Sequence, residues 1–462
     1  MGKGKLAALL LTAVLLFLAE PLYVDSMYKA TVTADAPAGT ETAVSYRPAA
    51  GAPTREIPFT VREGGHASFR IFSNEINELS FAGNAQVRSV HISGKGTLNL
   101  NVADGKLLKN LSLKPKIRFD IKVFLLLAFF LFCAIYTVTG RKSVFGDKTP
   151  AIKNVEFLRL VFTVGVVCEH TCGALKLYSA GWLGVEFFFI LSGFFLTLTF
   201  NPAKTVSGFV KSKFAHFAPL TLFCVIGKLK LIPLLQSLLF LQVWITPAMP
   251  EQSWYLGVLF WVGLFYFCMM KTFPEKYNDI VFGVLTFAAY TWMNKYGWAR
   301  LPRGIAGIGL GYFAARVFRI ESAKNAPDNR PSLIYSLAEA GVLFYSVGTV
   351  FVKALYPENT ITAIAAFAAL ILLFVLRRGC VSRFFEKPVF AKIAACSFAI
   401  YMTHMLVVHD MVENWRAKYP AVAAADPAAT AVLTVAYSCV FGWAVWRYVE
   451  IPASAWLKNK LR

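Results

Sequence analysis

The sequence predicts an all-α polytopic membrane protein of about 12 spanning helices, ten of them in one block, with an all-β, sandwich-like domain inserted near the N-terminus. Three observations carry that prediction. Of 462 residues, 57% are hydrophobic and 16% charged, whereas a soluble chain of this size carries roughly a quarter charged. Apolar runs recur along the chain, and a run of about 18 residues or more can cross a hydrocarbon core of about 30 Å. Between residues 25 and 116 the pattern changes to short alternating segments bounded by Gly, Asn and Asp, which is strand periodicity.

In chain order, Lys3 and Lys5 precede an apolar stretch from Leu6 to Val24. The following "LAEPLYV" lacks a clear small-x-small cleavage site, so residues 1–24 read as a signal anchor in preference to a cleaved signal peptide, and either sends 25–116 outside. Within that segment "REIPFTV", "ASFRIFS", "VRSVHIS" and "TLNLNV" read as strands of one small sandwich. His66 and His91 read there as surface or strand histidines. A role in binding a glycan or partner proteins and a role as passive spacer fit the segment equally. Residues 117–140 contain a second span, about Ile121 to Val138. The block at 151–456 then offers candidate spans near 155–174, 183–200, 214–227, 252–270, 280–293, 303–318, 333–352, 360–376, 394–412 and 428–447. Residues 228–250 read as re-entrant or interfacial. The loops assigned inside carry more than twice the Lys and Arg of the outer loops between spans. This places both termini in the cytoplasm and the chain in the cell membrane, the inner membrane if the cell is Gram-negative.

The formal charge of +21 has the same origin. No soluble segment carries a basic stripe interleaved with aromatics, so nucleic acid is excluded as a partner. The eight cysteines (Cys133, Cys168, Cys172, Cys224, Cys268, Cys380, Cys396, Cys439) all lie in or beside apolar spans and read as packing residues. Cys168, His170 and Cys172, at i, i+2 and i+4, do not share a helix face, so no metal site is expected.

Charges kept inside apolar spans are functional candidates by default. "VEFLRLVFTVGVVCEHTCG" carries Arg159 and His170 eleven residues apart. That is close to three helical turns, so both side chains point the same way with about 16 Å between them. Taken singly, Arg159 reads as an interfacial anchor and His170 as a packing histidine. Together they would line one groove suited to a phosphate-bearing donor and a hydroxyl acceptor. Glu186, at a matching depth on the next helix, is expected to orient His170, or else to form an interhelical ion pair. Glu169, about 100° round the helix, is expected to cap the site or face water. Ser397, Tyr401 and His404 form one stripe at i, i+4 and i+7, either an interhelical network or the lining of a donor channel. "GIAGIGLG" permits close helix packing or close approach of a ligand to backbone.

These residues, with others in the same order, resemble the acyltransferase-3 family of membrane O-acyltransferases. Arg159 and His170 match its first core helix. "GWLGVEFFFILSGFFL" is similar to its second-helix signature, with Ser192. "FVKSKFAHFAPLTLF" resembles its basic stretch before a Pro, and "SWYLGVLF", with Trp254, its Trp-Tyr-Leu helix start. "RGIAGIGLGYFAAR", from Arg303, resembles its Gly-rich helix. "CSFAIYMTHMLV" resembles its Ser-x-x-x-Tyr-x-x-His segment, and "RYVEIP", with Glu450, its closing motif. The resemblance spans about 151–456. The chain departs from the family in lacking a Glu soon after Trp254 and arginines before Pro219.

The resemblance implies a transferase that takes an acyl group, acetyl by expectation, from cytoplasmic acyl-CoA to a hydroxyl of an extracytoplasmic carbohydrate such as a surface polysaccharide. Acetyl-CoA would be a co-substrate, with no bound cofactor, and membrane lipid would surround the helices. Arg159 would handle donor together with Ser397, Tyr401 and His404. His170 would act as general base toward a sugar hydroxyl, a poor nucleophile at neutral pH, or would itself be acylated. The alternative is a transporter or flippase for a lipid-linked saccharide or acyl donor. That class shows internal repeats, which the sequence lacks.

Overall fold

The computed structural model describes residues 24–35, 38–47, 55–72, 76–82, 86–93, 97–101, 108–111, 116–119, 124, 152–225, 231–241, 251–324, 330–357, 360–419 and 426–461. The two spans expected before residue 140 lie outside these, apart from Val24 and Phe124. The chain divides into two compact units, residues 13–128 and residues 1–12 with 129–462.

The first unit carries two antiparallel sheets among its described residues. Strands β1 (Val24–Asp35), β4 (His66–Phe72), β6 (Gln86–Ser93) and β7 (Thr97–Asn101) run in the order β4-β1-β6-β7, and β9 (Lys116–Phe119) also pairs β1. Strands β2 (Glu41–Arg47), β3 (Arg55–Thr60), β5 (Ile76–Ala82) and β8 (Leu108–Leu111) run β3-β2-β5-β8. The four segments with clear alternation form β3, β4, β6 and β7. Val44 and Tyr46, two apart on β2, are buried, as are Leu79, Ile71 and Ile92. That is the period-2 pattern of a half-buried sheet. β1 begins at Val24, the last residue of the expected anchor.

The second unit is helical. In order come α1 (Asn154–Ala174), a 3-10 turn (Gly181–Leu183), α2 (Gly184–Leu198), α3 (Val206–Val225) and α4 (Leu231–Leu238). A second 3-10 turn (Glu251–Ser253) leads into α5 (Trp254–Thr272), α6 (Glu275–Tyr296), α7 (Arg300–Lys324) and α8 (Leu333–Phe351). Then follow α9 (Thr360–Leu376), α10 (Cys380–Phe384), α11 (Pro388–Ala394), α12 (Ser397–Val408), a π-helical segment (His409–Asn414), α13 (Trp415–Lys418) and α14 (Pro427–Val445). A π-helical segment (Trp446–Glu450) and α15 (Ile451–Leu461) close the chain. Helices satisfy their own backbone polar groups, as a hydrocarbon surround requires.

Among the described residues six stretches are long and apolar enough to cross a membrane: Asn154–Ala174, Gly181–Leu198, Trp254–Thr272, Leu333–Phe351, Pro388–Val412 and Pro427–Leu461. The other stretches expected to span fall in α3, α6, α7 and the shorter apolar α9. The polarity of α6 and α7 has an internal use. Between α6 and α7, Arg316 pairs with Glu275 at 2.9 Å and with Asp279 at 2.8 Å, and Tyr312 donates its hydroxyl to Asp279 at 2.6 Å. Buried charges are retained when paired and hydrogen-bonded in this way.

Among the described residues, α2 and α7 approach each other closely. A Cβ on Gly193 would overlap the backbone of Ile308, and one on Gly311 would overlap the Ile190 carbonyl. The glycines of "GIAGIGLG" therefore let two backbones meet. Asn154, buried at the start of α1, donates to the Phe374 carbonyl at 2.5 Å and the Ser382 carbonyl at 3.3 Å, tying α1 to the end of α9 and to α10.

Candidate active site

A cavity of about 430 Å³ opens among α1, α2, α3, α5 and α12. α1 contributes Glu156, Arg159 and Thr163, one face at i, i+3 and i+7. α2 contributes Ser192 and, as the residue after its end, Thr199; α5 contributes Tyr255, and α12 Ser397 and Tyr401. Lys204, Lys213 and His216 line the same space as Arg159. Lys204 and Lys213 each stand over the Phe209 ring, at 5.8 and 5.7 Å. His216 stacks on Phe398 with centroids 4.9 Å apart. This end of the cavity gathers cations against aromatic walls, a setting that attracts a polyanionic, ring-bearing ligand.

Arg159 holds Glu156 at 2.9 Å, with 37% and 28% of the two side chains exposed. A pair that wet contributes at most about 1 kcal/mol, so an anion entering the cavity can displace Glu156. Glu450, buried within the second π-helical segment, lies within electrostatic reach of Arg159 and Lys458. Its role is thereby tied to the same cationic end.

The polar end of the cavity is held rigidly. Ser192 and Tyr255 share a hydrogen bond. The Tyr401 hydroxyl donates to the Gln252 carbonyl at 3.0 Å, and the Gln252 side chain donates to the Met402 carbonyl. Cys224 Sγ donates to that same carbonyl at 3.2 Å. The middle of α12 is thus clamped between α3 and the turn before α5.

From Tyr401 a line of rings leads away from the cavity. Tyr255 and Tyr401 have centroids 5.4 Å apart, Tyr401 and His404 5.9 Å, and His404 and His170 5.1 Å. α1 and α12 pack together, and both run from the cavity toward this histidine pair. The expected stripe Ser397, Tyr401, His404 is therefore divided. Its first two members line the cavity, while His404 lies beyond it against His170.

A comparison with protein-family profiles matches residues 152–447 to the acyltransferase domain of the acyltransferase-3 family. The match covers well over half the chain. The chain belongs to the acyltransferase-3 family. It is accordingly a membrane protein and an enzyme that transfers acyl groups. No curated protein and no solved structure matches it.

In this acyltransferase four sequence-chosen residues, Glu186, Arg303, Trp254 and Glu169, have defined partners. Glu186 is fully buried, and its Oε1 accepts the Arg303 Nε–H at 2.5 Å, while Oε2 accepts no hydrogen bond. The carboxylate is half of the interhelical ion pair rather than the orienting group for His170, because the guanidinium reaches it from α7. Arg303 also donates to the Trp182 carbonyl at 3.3 Å and lies 5.6 Å from the Trp182 ring centroid and 5.0 Å from that of Trp254. Trp254 therefore packs on arginine, and its neighbour Tyr255 is the residue that enters the cavity. Glu169 Oε2 accepts the Gly181 N–H at 2.8 Å, capping the 3-10 turn that starts the second span.

Sequence reasoning did not single out Lys204, Lys213, His216 or Tyr255. Lys213 and His216, at i and i+3 in "FVKSKFAHF", do share a helix face, which is the signal that marks them.

Proposed function

We propose that this acyltransferase carries an acetyl group from cytoplasmic acetyl-CoA to a carbohydrate hydroxyl outside the membrane, with His170 as general base. The observation that supports this reading is the layout of α1. Its Arg159 end lines a cavity shared with Lys204, Lys213 and His216, suited to a nucleotide phosphate donor. Its His170 end lies about 16 Å along the axis, beside the clamped Tyr401–His404 segment. Guanidinium and ammonium groups hold phosphate by charge-assisted hydrogen bonds. The aromatic walls and the hydroxyls of Ser192, Ser397 and Tyr401 fit a pantetheine arm, which alternates apolar and amide groups. A neutral imidazole beyond the thioester end removes the hydroxyl proton as the oxygen attacks the carbonyl, and the thiolate leaves. The residues at 25–116 form an extracytoplasmic domain that holds the acceptor or a partner protein at the outer face. Both termini lie in the cytoplasm.

The experiment is acetyl-CoA turnover by the purified full-length chain, with and without surface glycan isolated from cells that lack it. Glycan-dependent release of CoA, with acetyl appearing on the glycan by mass spectrometry, is the expected result. Movement of a saccharide without loss of acetyl-CoA would turn the reading to transport. A reporter near Lys176 should read outside and one near Lys148 cytoplasmic; the reverse would put the donor on the wrong side.

A further inference from the structure

We infer that His404 is a positioning residue for His170: on a small ring rotation or through one water, its Nε2 lone pair receives the N–H of one His170 ring nitrogen and turns the lone pair of the other toward substrate. The inference rests on the reading of His170 as base and names what holds it.

The tautomer of His404 is fixed by its own helix. Its Nδ1 lies 2.6 Å from the Tyr401 carbonyl oxygen. A carbonyl only accepts, so Nδ1 carries the hydrogen and donates it. A neutral imidazole has one ring hydrogen, and Nε2 is therefore bare. A second proton would place a full charge on a ring of 0% exposure that faces another histidine, an arrangement that burial opposes. Nε2 is an obligate acceptor.

That acceptor is buried and takes no hydrogen bond from the protein. A buried acceptor without a donor is a rare and costly state, so it marks a group placed for something. The ring beside it is His170, at 5.1 Å between centroids and a 41° tilt. At that separation a small rotation of either ring brings a His170 nitrogen within hydrogen-bond reach of Nε2. In a histidine the state of one nitrogen is set by what the other bonds. An acceptor on one side of His170 makes that nitrogen the N–H and presents the lone pair of the other to substrate. The carboxylate that sequence offered for this task, Glu186, is held by Arg303.

The position of His404 adds a second consequence. It lies three residues after Tyr401, whose hydroxyl is anchored to Gln252 and whose ring lines the donor cavity. A single helical turn therefore carries both the wall of the donor site and the group that aims the base.

The test measures steady-state acetyl transfer from acetyl-CoA to isolated surface glycan, beside equilibrium binding of acetyl-CoA, with the full-length chain. His404→Met keeps the volume and removes the acceptor. It is expected to lower kcat about ten- to a hundred-fold, as loss of an orienting partner does, with acetyl-CoA affinity unchanged. His404→Gln, whose amide oxygen reaches toward the lost nitrogen, should recover part of kcat, and the shorter His404→Asn should recover none. Rates are referred to the acetyl-CoA-binding fraction, so a poorly folded variant does not count as a slow one. Combining His404→Met with His170→Ala should be no slower than His170→Ala alone. Additive losses in that double variant, or full transfer by His404→Met where His170→Ala has lost it, would overturn the inference and leave the base intact. Full transfer by His170→Ala would instead remove the base, and this inference with it.

Discussion

The two ends of α1 solve opposite electrostatic problems. Around Arg159 the protein collects cations: Lys204 and Lys213 line the same cavity, with the imidazole of His216 beside them, and the counter-charge nearest to hand, Glu156, is held in a half-wet pair. Around His170 the partner is another imidazole, 5.1 Å away and fully buried. One end can bind charge because its cations are weakly satisfied. The other sets the proposed base beside a buried imidazole. A helix of 21 residues separates the two regimes, which a single compact site could not do without the cations suppressing the base.

The sharpest way to break this comparison is to remove the base. His170→Ala should lose transfer by about two to four orders of magnitude while acetyl-CoA affinity, measured by equilibrium binding, stays at the wild-type value. Equal loss at both readouts would mean that the two ends are one site.

At the other end, Arg159→Ala should weaken acetyl-CoA binding about ten- to a hundred-fold, the scale of one lost charge-assisted contact. Arg159→Lys should restore only part of it, since an ammonium lacks the planar fork. Because these cations are partly exposed, donor affinity should also fall as salt rises, whereas the rate with donor saturating should change little. Salt-independent binding would show that the cationic end does not hold the donor.

Acidity sharpens the contrast further. A protonated imidazole has no lone pair to offer, so transfer should fall as pH drops, and donor binding should fall less, because guanidinium and ammonium stay charged.

The smallest catalytic effect is expected at Glu186. Glu186→Gln leaves Arg303 buried without its counter-charge, which is a stability defect. Thermal unfolding in detergent should therefore drop well before transfer does. A variant of full thermal stability with transfer as low as that of His170→Ala would return Glu186 to the catalytic machinery.

Much of the site was legible in sequence because a helix translates spacing directly into geometry. Eleven residues place Arg159 and His170 on one face, and no tertiary contact can change that. The same logic found Ser397 and Tyr401, and the glycine spacing of "GIAGIGLG" pointed to the close approach of α2 and α7. For Glu186 it left two partners open, because depth in a membrane constrains two residues along one axis only. Rotation about each helix decides whether Glu186 meets His170 or Arg303, and rotation is set by packing. Trp254 and Tyr255 show the same limit at one-residue resolution, since neighbours on a helix point about 100° apart.

By itself, then, the sequence determined the membrane class, the family and the shared face of Arg159 and His170. These follow from apolar length, ordered motifs and helical period, all of which are properties of one segment at a time. Only the tertiary structure decided that Lys213 and His216 join Arg159 in one cavity, that Arg303 takes Glu186, and that His404 leaves the donor stripe to meet His170. Those are pairings between helices, and a pairing depends on which faces the rest of the packing turns toward each other.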